Sequence, residues 1–172
     1  MRENIDDKLK LLDCLIHEAL DMLYEKDMHL IMNRAVNDHG RDEKHHVGER
    51  SIVFRFAHYL QNLIDNQPAL SGYDLDCEYN RNGAACKALP SFPNGTYPDV
   101  IIHKRGSNEH NLIVIEFKTY WNRDTLNDQR KLYEFTDPNG QYKFDKGISI
   151  LLGKKREQVK ELECTNYKKR RT

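Results

Sequence analysis

The chain has 172 residues, of which 38% are hydrophobic and 31% are charged, and its 27 basic and 27 acidic residues cancel. This length fits one domain of ~100–200 residues and excludes a second of full size. The neutral balance neither favours nor excludes a nucleic-acid partner. No apolar run approaches the ~18 residues of a spanning helix, and the start MRENIDDKLK is acidic, unlike a signal peptide, so we expect a cytoplasmic protein with no membrane partner.

The first predicted element is a long amphipathic helix from Ile5 within an N-terminal helical extension, residues 1–40. Apolar residues recur there at steps of three and four, namely Ile5, Leu9, Leu12, Ile16, Ala19 and Leu23. This stripe either packs on its own domain or forms the seam of a homodimer. The four cysteines, Cys14, Cys77, Cys86 and Cys164, have no C-x-x-C spacing and are interpreted as buried thiols.

A second helix is predicted from about Glu49 to Ile64. Measured from Glu49, Val53 is at i+4 and Phe56 at i+7, so the Glu49 carboxylate projects from the apolar face, where an unpaired charge is costly. Two interpretations remain open. Either a partner compensates this charge at a functional site, or the first helical turn stabilises an acid without any function.

Strands are predicted next. Residues 73–79 alternate apolar and polar side chains, and residues 82–98 form a loop. The runs Asp99–Lys104 and Leu112–Lys118 flank a short polar segment, so they should pair as an antiparallel hairpin.

The remaining predicted elements are a helix from about residue 124 to Phe135, a buried strand from Ile148 to Leu152, and a short basic helix from Lys154 to Leu162. The order predicts an α/β fold with a central sheet and helices beside it. We divide the single domain, residues 1–172, into the extension 1–40, a core 47–153, and a basic C-terminal helix and tail 154–172.

Candidate chemistry lies at the open end of the hairpin. Glu116 and Lys118 share one face of their strand, since side chains alternate. Asp99 begins the partner strand. It lies on the same face as Glu116 and Lys118 only if the numbers of two paired residues add up to an odd total. We therefore predict that a one-residue offset or bulge places Asp99 opposite Glu116 or Lys118.

Two carboxylates and a lysine in one place can hold a hard divalent cation and orient water, as metal-dependent phosphodiester hydrolysis requires. Lys118 would act as an electrostatic stabiliser, or as a general base if its pKa fell far enough. The competing interpretation is a surface ion-pair network without function.

Tyr97-Pro98-Asp99, followed after sixteen residues by Glu116-Phe117-Lys118, resembles the motif of the PD-(D/E)XK nuclease superfamily. The resemblance implies a restriction-endonuclease-like αβββαβ core with a mixed central sheet, carrying an extra N-terminal helix here. It implies Asp99 and Glu116 as metal ligands, Lys118 as the catalytic lysine, and Glu49 as a further metal ligand, with Mg²⁺ or Mn²⁺ as the cofactor.

By the same resemblance, the helix after the motif supplies nucleic-acid-binding candidates, namely Gln129, Arg130 and Lys131. The stretches GERSIVFRFAHYLQNLI and PDVIIHKRG look like those of small bacterial proteins of this type. The expected function is a metal-dependent nuclease, with DNA favoured as substrate. The alternative is an inactive nuclease-fold module that binds nucleic acid or a protein partner.

Overall fold

A computed structural model of the chain describes residues 5–32, 46–122 and 124–165. The predicted tail beyond residue 165 and part of the predicted 1–40 extension lie outside these ranges. The described helices are α1 (Ile5–Lys26), α2 (Met28–Met32), α3 (Glu49–Asp65) and α4 (Leu126–Phe135). The strands are β1 (Asp74–Cys77), β2 (Arg81–Asn82), β3 (Ala85–Cys86), β4 (Val100–His103), β5 (Asn111–Thr119), β6 (Lys146–Leu152) and β7 (Lys160–Glu163).

The main sheet has five strands in the order β1-β4-β5-β6-β7, and β2 and β3 form a separate two-stranded ribbon. Only the β5–β6 pair is parallel, because α4 lies between these strands in sequence and carries the chain back across the sheet. The other neighbours in the main sheet pair antiparallel. The prediction of a mixed central sheet flanked by helices is confirmed.

Alternation along the strands divides the core between the two faces of the sheet. On one face, Val100, Ile113 and Phe117 belong to the apolar cluster that contains the buried stripes of α1 and α3. On the other face, Ile101 and Val114 pack with Leu132 and Phe135 of α4. Glu116 and Lys118 have the parity of Val114 and therefore lie on the α4 face.

The register of the hairpin confirms the predicted odd offset. Val100 pairs with Ile115 and Ile102 with Ile113, whereas His103 pairs with Asn111, so a bulge lies between Ile102 and His103. Continuing the pairing of Val100 by one residue places Asp99 opposite Glu116. The bulge absorbs the extra residue at the closed end of the hairpin and puts both acids on one face at its open end.

The predicted basic helix from Lys154 to Leu162 is wrong. Residues 156–158 form a single 3₁₀ turn, and β7 then pairs with β6 as an edge strand. This segment lacks an apolar stripe at helical spacing, whereas the open edge of β6 offers backbone partners. The interpretation of the cysteines as buried thiols holds for Cys164 only, since the other three are exposed.

The stripe on α1 is buried within the chain itself. Leu12, Ala19 and Leu23 are fully buried, and the stripe belongs to the same cluster as the apolar face of α3. From Leu12 to Leu23 the stripe is therefore covered by the chain itself and offers no free seam for a homodimer, whereas Ile5 at its start is exposed. Within the described ranges, no helix is both long and apolar enough to cross a membrane.

Candidate active site

The open end of the β4–β5 hairpin gathers charged side chains from four elements. Glu49 is the first residue of α3, Asp99 precedes β4, Glu116 and Lys118 lie on β5, and Asp128 and Lys131 come from α4. The structure therefore brings together the four predicted residues Glu49, Asp99, Glu116 and Lys118. It adds one carboxylate and one ammonium group from the helix that covers this face.

Glu49 lies in the first turn of α3, and its carboxylate also faces Lys118. Its Oε1 is 3.4 Å from Lys118 Nζ, and its buried Oε2 has no hydrogen-bond partner among the described residues. Burial raises the pKa of the Glu49 carboxyl, although the Lys118 charge opposes the shift. The first-turn position alone does not satisfy this carboxylate.

Asp99 is held by the backbone of the neighbouring strand. Its Oδ2 accepts a hydrogen bond of 2.7 Å from Phe117 N–H, which directs the carboxylate toward the end of β5. Burial raises the pKa of Asp99 to about 6, and neither this hydrogen bond nor the more distant Lys118 and Lys131 charges cancel the effect. Asp99 is thus an acid held where its charged form is disfavoured.

Glu116 is the most deeply buried acid of the site, at 1% exposure. Lys131 Nζ lies 3.0 Å from its Oε2, while its Oε1 has no hydrogen-bond partner in the described part of the chain. Burial and the nearby Asp99 charge raise the pKa of Glu116 well above its usual range, despite Lys131. A second positive charge would relieve this cost.

Lys118 is held chiefly by Asp128. Its Nζ is 2.9 Å from Asp128 Oδ2 and also donates to the Phe117 carbonyl at 3.2 Å. Burial disfavours the ammonium, but the Asp128 and Glu49 carboxylates outweigh burial and raise the pKa of Lys118 above its usual value. In this arrangement Lys118 stays protonated and is suited to orient water or stabilise negative charge.

The sequence reasoning missed Asp128, although the signal was present. Asp128 precedes Leu132 by four residues and Phe135 by seven, and all three are buried, which is the pattern that singled out Glu49. Lys131, proposed as a nucleic-acid contact, instead pairs with Glu116 inside the site. Gln129 donates to Thr125 Oγ1 at 3.2 Å, and Arg130 is exposed, so the three candidates do not form one surface.

The donor set fits a hard divalent cation in chemistry, because carboxylate oxygens of Glu49, Asp99 and Glu116 face one region and two of these oxygens are buried without partners. As the side chains stand, however, no group of three His, Cys, Asp or Glu within the described ranges is arranged to hold a metal ion. With the side chains in these positions, the ammonium groups of Lys118 and Lys131 supply the positive charge near the carboxylates.

A cleft of about 480 Å³ opens beside the site. Its lining includes Glu49, Asp99 and Lys131 but not Glu116 or Lys118. Tyr97, which is 54% exposed, and the partly buried Phe92 line the same cleft. Acid groups therefore line a concavity of nucleotide size, and Lys131 lies between that concavity and Glu116.

No family model, curated protein or solved structure matched this chain.

Proposed function

We propose that this protein is a metal-dependent nuclease of restriction-endonuclease-like fold that hydrolyses phosphodiester bonds, with DNA as the favoured substrate. The observation that carries the proposal is the meeting of Glu49, Asp99, Glu116 and Lys118 at one end of the sheet. The element order from α3 to β6, apart from the small β2–β3 ribbon, is αβββαβ, which supports the same fold.

In the proposed mechanism, Asp99, Glu116 and Glu49 are the residues that would hold Mg²⁺ or Mn²⁺. The bound metal supplies Lewis-acid activation of the phosphate and of water. The raised pKa values of the three carboxyls support this assignment, since each carboxylate lacks sufficient positive charge in the metal-free arrangement. A cation held by Glu116 would share this carboxylate with Lys131, whose Nζ lies 3.0 Å from Oε2.

Lys118 acts as an orienting and electrostatic group in this proposal. With its pKa raised, the ammonium keeps its proton at neutral pH and can hold a water or stabilise the charge that develops on the phosphate. Asp128 fixes the position of that ammonium. A role as general base is disfavoured, because it requires the pKa of Lys118 to fall rather than rise.

The test is cleavage of single-stranded and duplex DNA and of RNA with Mg²⁺, with Mn²⁺ or with EDTA. We expect cleavage that depends on the metal and falls at least ~100-fold in Glu116→Gln and Lys118→Met. Glu25→Gln is the matched control, because Glu25 is exposed on α1, a helix that contributes none of the named site residues. Cleavage that survives both site variants, or no cleavage under any condition, would favour a non-catalytic module that binds nucleic acid or a protein partner.

A further inference from the structure

A second cavity, also of about 480 Å³, lies at the other end of the β4–β5 hairpin. It is lined by Tyr79, Arg81, Asn82, Lys87, His103 and the turn after β4, and it shares no lining residue with the cleft beside the candidate active site. We propose that this cavity binds a phosphate group, with Lys87 and Arg81 as its cationic contacts. This inference does not depend on nuclease activity.

Lys87 lines this cavity and is almost completely buried. Lys87 is only 3% exposed, and no carboxylate within the described ranges forms an ion pair with it. Lysines are rarely buried to this extent unless they are paired, because removing a charge from water is costly. An anion in the adjoining cavity would compensate the Lys87 charge.

The contacts that Lys87 does make leave donors available. Its Nζ donates to the Arg81 carbonyl and lies 4.4 Å from the centre of the Tyr79 ring and 5.9 Å from that of the Tyr142 ring. An ammonium has three N–H donors, so the carbonyl uses one of them. Burial lowers the pKa of Lys87 to about 8, although the Asp76 charge at longer range opposes this shift. The contacts present therefore stabilise the ammonium only in part.

The net charge of the described residues that line this cavity differs in sign from that of the cleft beside the active site. The cleft beside the active site is lined by three acids and two bases, namely Glu49, Glu78, Asp99, Arg50 and Lys131, whereas the described residues that line this cavity include Lys87 and Arg81 and no Asp or Glu. In a chain with equal numbers of acids and bases, such a separation selects ligands by charge. A cation would be repelled from this cavity and an anion attracted.

Neutral donors complete the lining and favour a phosphate over a halide. Asn108 donates to Asn82 Oδ1 at 3.0 Å, which leaves the Asn82 amide N–H groups free to donate. Ser107 Oγ accepts from Glu109 N–H at 3.0 Å and keeps its own proton to donate. Several donors around two cations suit an anion with several oxygens, and Arg is especially suited to phosphate.

The experiment is calorimetric titration of the full chain in EDTA with two probes, inorganic phosphate and dAMP. Lys87→Met removes the charge and keeps the length of the side chain, and we expect it to weaken binding of either probe at least ~10-fold. Lys104→Met is the matched control. Lys104 directly follows β4 in the β4–β5 hairpin, but it is not among the residues that line the cavity. Similar affinities for the two probes indicate a free phosphate as ligand, and tighter binding of dAMP indicates a nucleotide.

Arg81→Gln guards against a folding defect in the Lys87 variant, since Arg81 is exposed and its replacement does not disturb the core. It should weaken phosphate binding several-fold. The proposal is overturned if wild type binds neither probe at millimolar concentration, or if Lys87→Met and Arg81→Gln both bind like wild type. It is also overturned if phosphate raises the melting temperature of wild type no more than NaCl at equal ionic strength.

Discussion

At the scale of single residues, the candidate active site is a set of acids whose charged forms are disfavoured. Glu116 is buried and Asp99 is partly buried beside it, and within the described ranges only the Lys131 ammonium pairs directly with either carboxylate. This arrangement costs folding free energy in the metal-free protein. The cost depends on pH, because protonation removes it.

Asp99→Asn is predicted to stabilise the metal-free protein above neutral pH. Folding raises the pKa of Asp99 from 3.8 to about 6, so its destabilising effect is absent below about pH 4, grows through the interval, and is complete above pH 6. In EDTA we expect a gain of about 2 kcal/mol at pH 7.5 that disappears by pH 4. Urea unfolding at both pH values measures this gain.

Wild type and Asp99→Asn also test whether Asp99 is a metal ligand. Mg²⁺ should stabilise wild type more than Asp99→Asn at pH 7.5, since the neutral amide is the weaker ligand. Asp65→Asn, at the exposed end of α3, should change stability by less than ~0.5 kcal/mol under all these conditions. Equal responses of wild type and Asp99→Asn to Mg²⁺ would remove Asp99 from the proposed ligand set.

Asp128→Asn is predicted to act through Lys118. Loss of the carboxylate 2.9 Å from Lys118 Nζ should lower the pKa of Lys118 and loosen its position. We expect kcat to fall ~10–100-fold, with Mg²⁺ affinity nearly unchanged and the alkaline limb of the pH profile shifted to lower pH. Asn127→Ala, on the exposed side of α4, is the control. An unshifted profile would contradict the assigned role of Asp128.

The residues of the site differ in how far the sequence predicted them. Glu116 and Lys118 were placed together by strand alternation, which is local and regular. Asp128 was within reach of the same helical reasoning that was applied to Glu49. The pairing of Lys131 with Glu116 was not, because it depends on how α4 lies across the sheet, and that orientation is set by packing between elements distant in sequence.

At the scale of elements, the helices and central strands were predicted more reliably than the edge. α1, α3 and β5 carry long periodic patterns, and the structure places them at the predicted positions. β7 was misassigned because its four residues are all exposed, so burial contributes no pattern. Its strand conformation depends on pairing with β6, a partner that local sequence does not reveal.

Gly153→Ala tests the turn that leads into β7. A Cβ at this position would lie 2.8 Å from the backbone carbonyl of Gln158, which side chains cannot relieve. We expect a loss of ~1–3 kcal/mol in the free energy of unfolding, measured with urea. Gly48→Ala is the control, because a Cβ there meets nothing within 4 Å and costs at most the ~1 kcal/mol typical of an alanine N-cap. Equal losses of unfolding free energy in Gly153→Ala and Gly48→Ala would contradict the close packing of Gly153 against Gln158 in this turn.

At the scale of the whole molecule, α1 is part of the core rather than an appendage. Ile16 is 1% exposed and packs in the cluster shared by α3 and the sheet. The sequence showed the stripe but left two partners open, because an apolar stripe looks the same whether its own domain or a second chain covers it.

Ile16→Asp is predicted to unfold the protein rather than to dissociate a dimer. A buried, unpaired carboxylate at this position should cost more than ~4 kcal/mol, measured by urea unfolding. Lys10→Asp introduces the same side chain at an exposed position of α1 and should cost less than ~0.5 kcal/mol. A folded Ile16→Asp protein with half the wild-type mass in light scattering would contradict this prediction and support the α1 stripe as a dimer interface.

The bulge between Ile102 and His103 has a consequence for how related chains can vary. Because it separates the connection at residues 104–110 from the paired segment beside Asp99, insertions in that connection leave the facing of Asp99 and Glu116 intact. A single deletion in β5 between the bulge and Glu116 would place Phe117 instead of Glu116 on the α4 face. In related chains, insertions and deletions should therefore be found in the connection at residues 104–110 and should be rare in the paired segment beside Asp99 and Glu116.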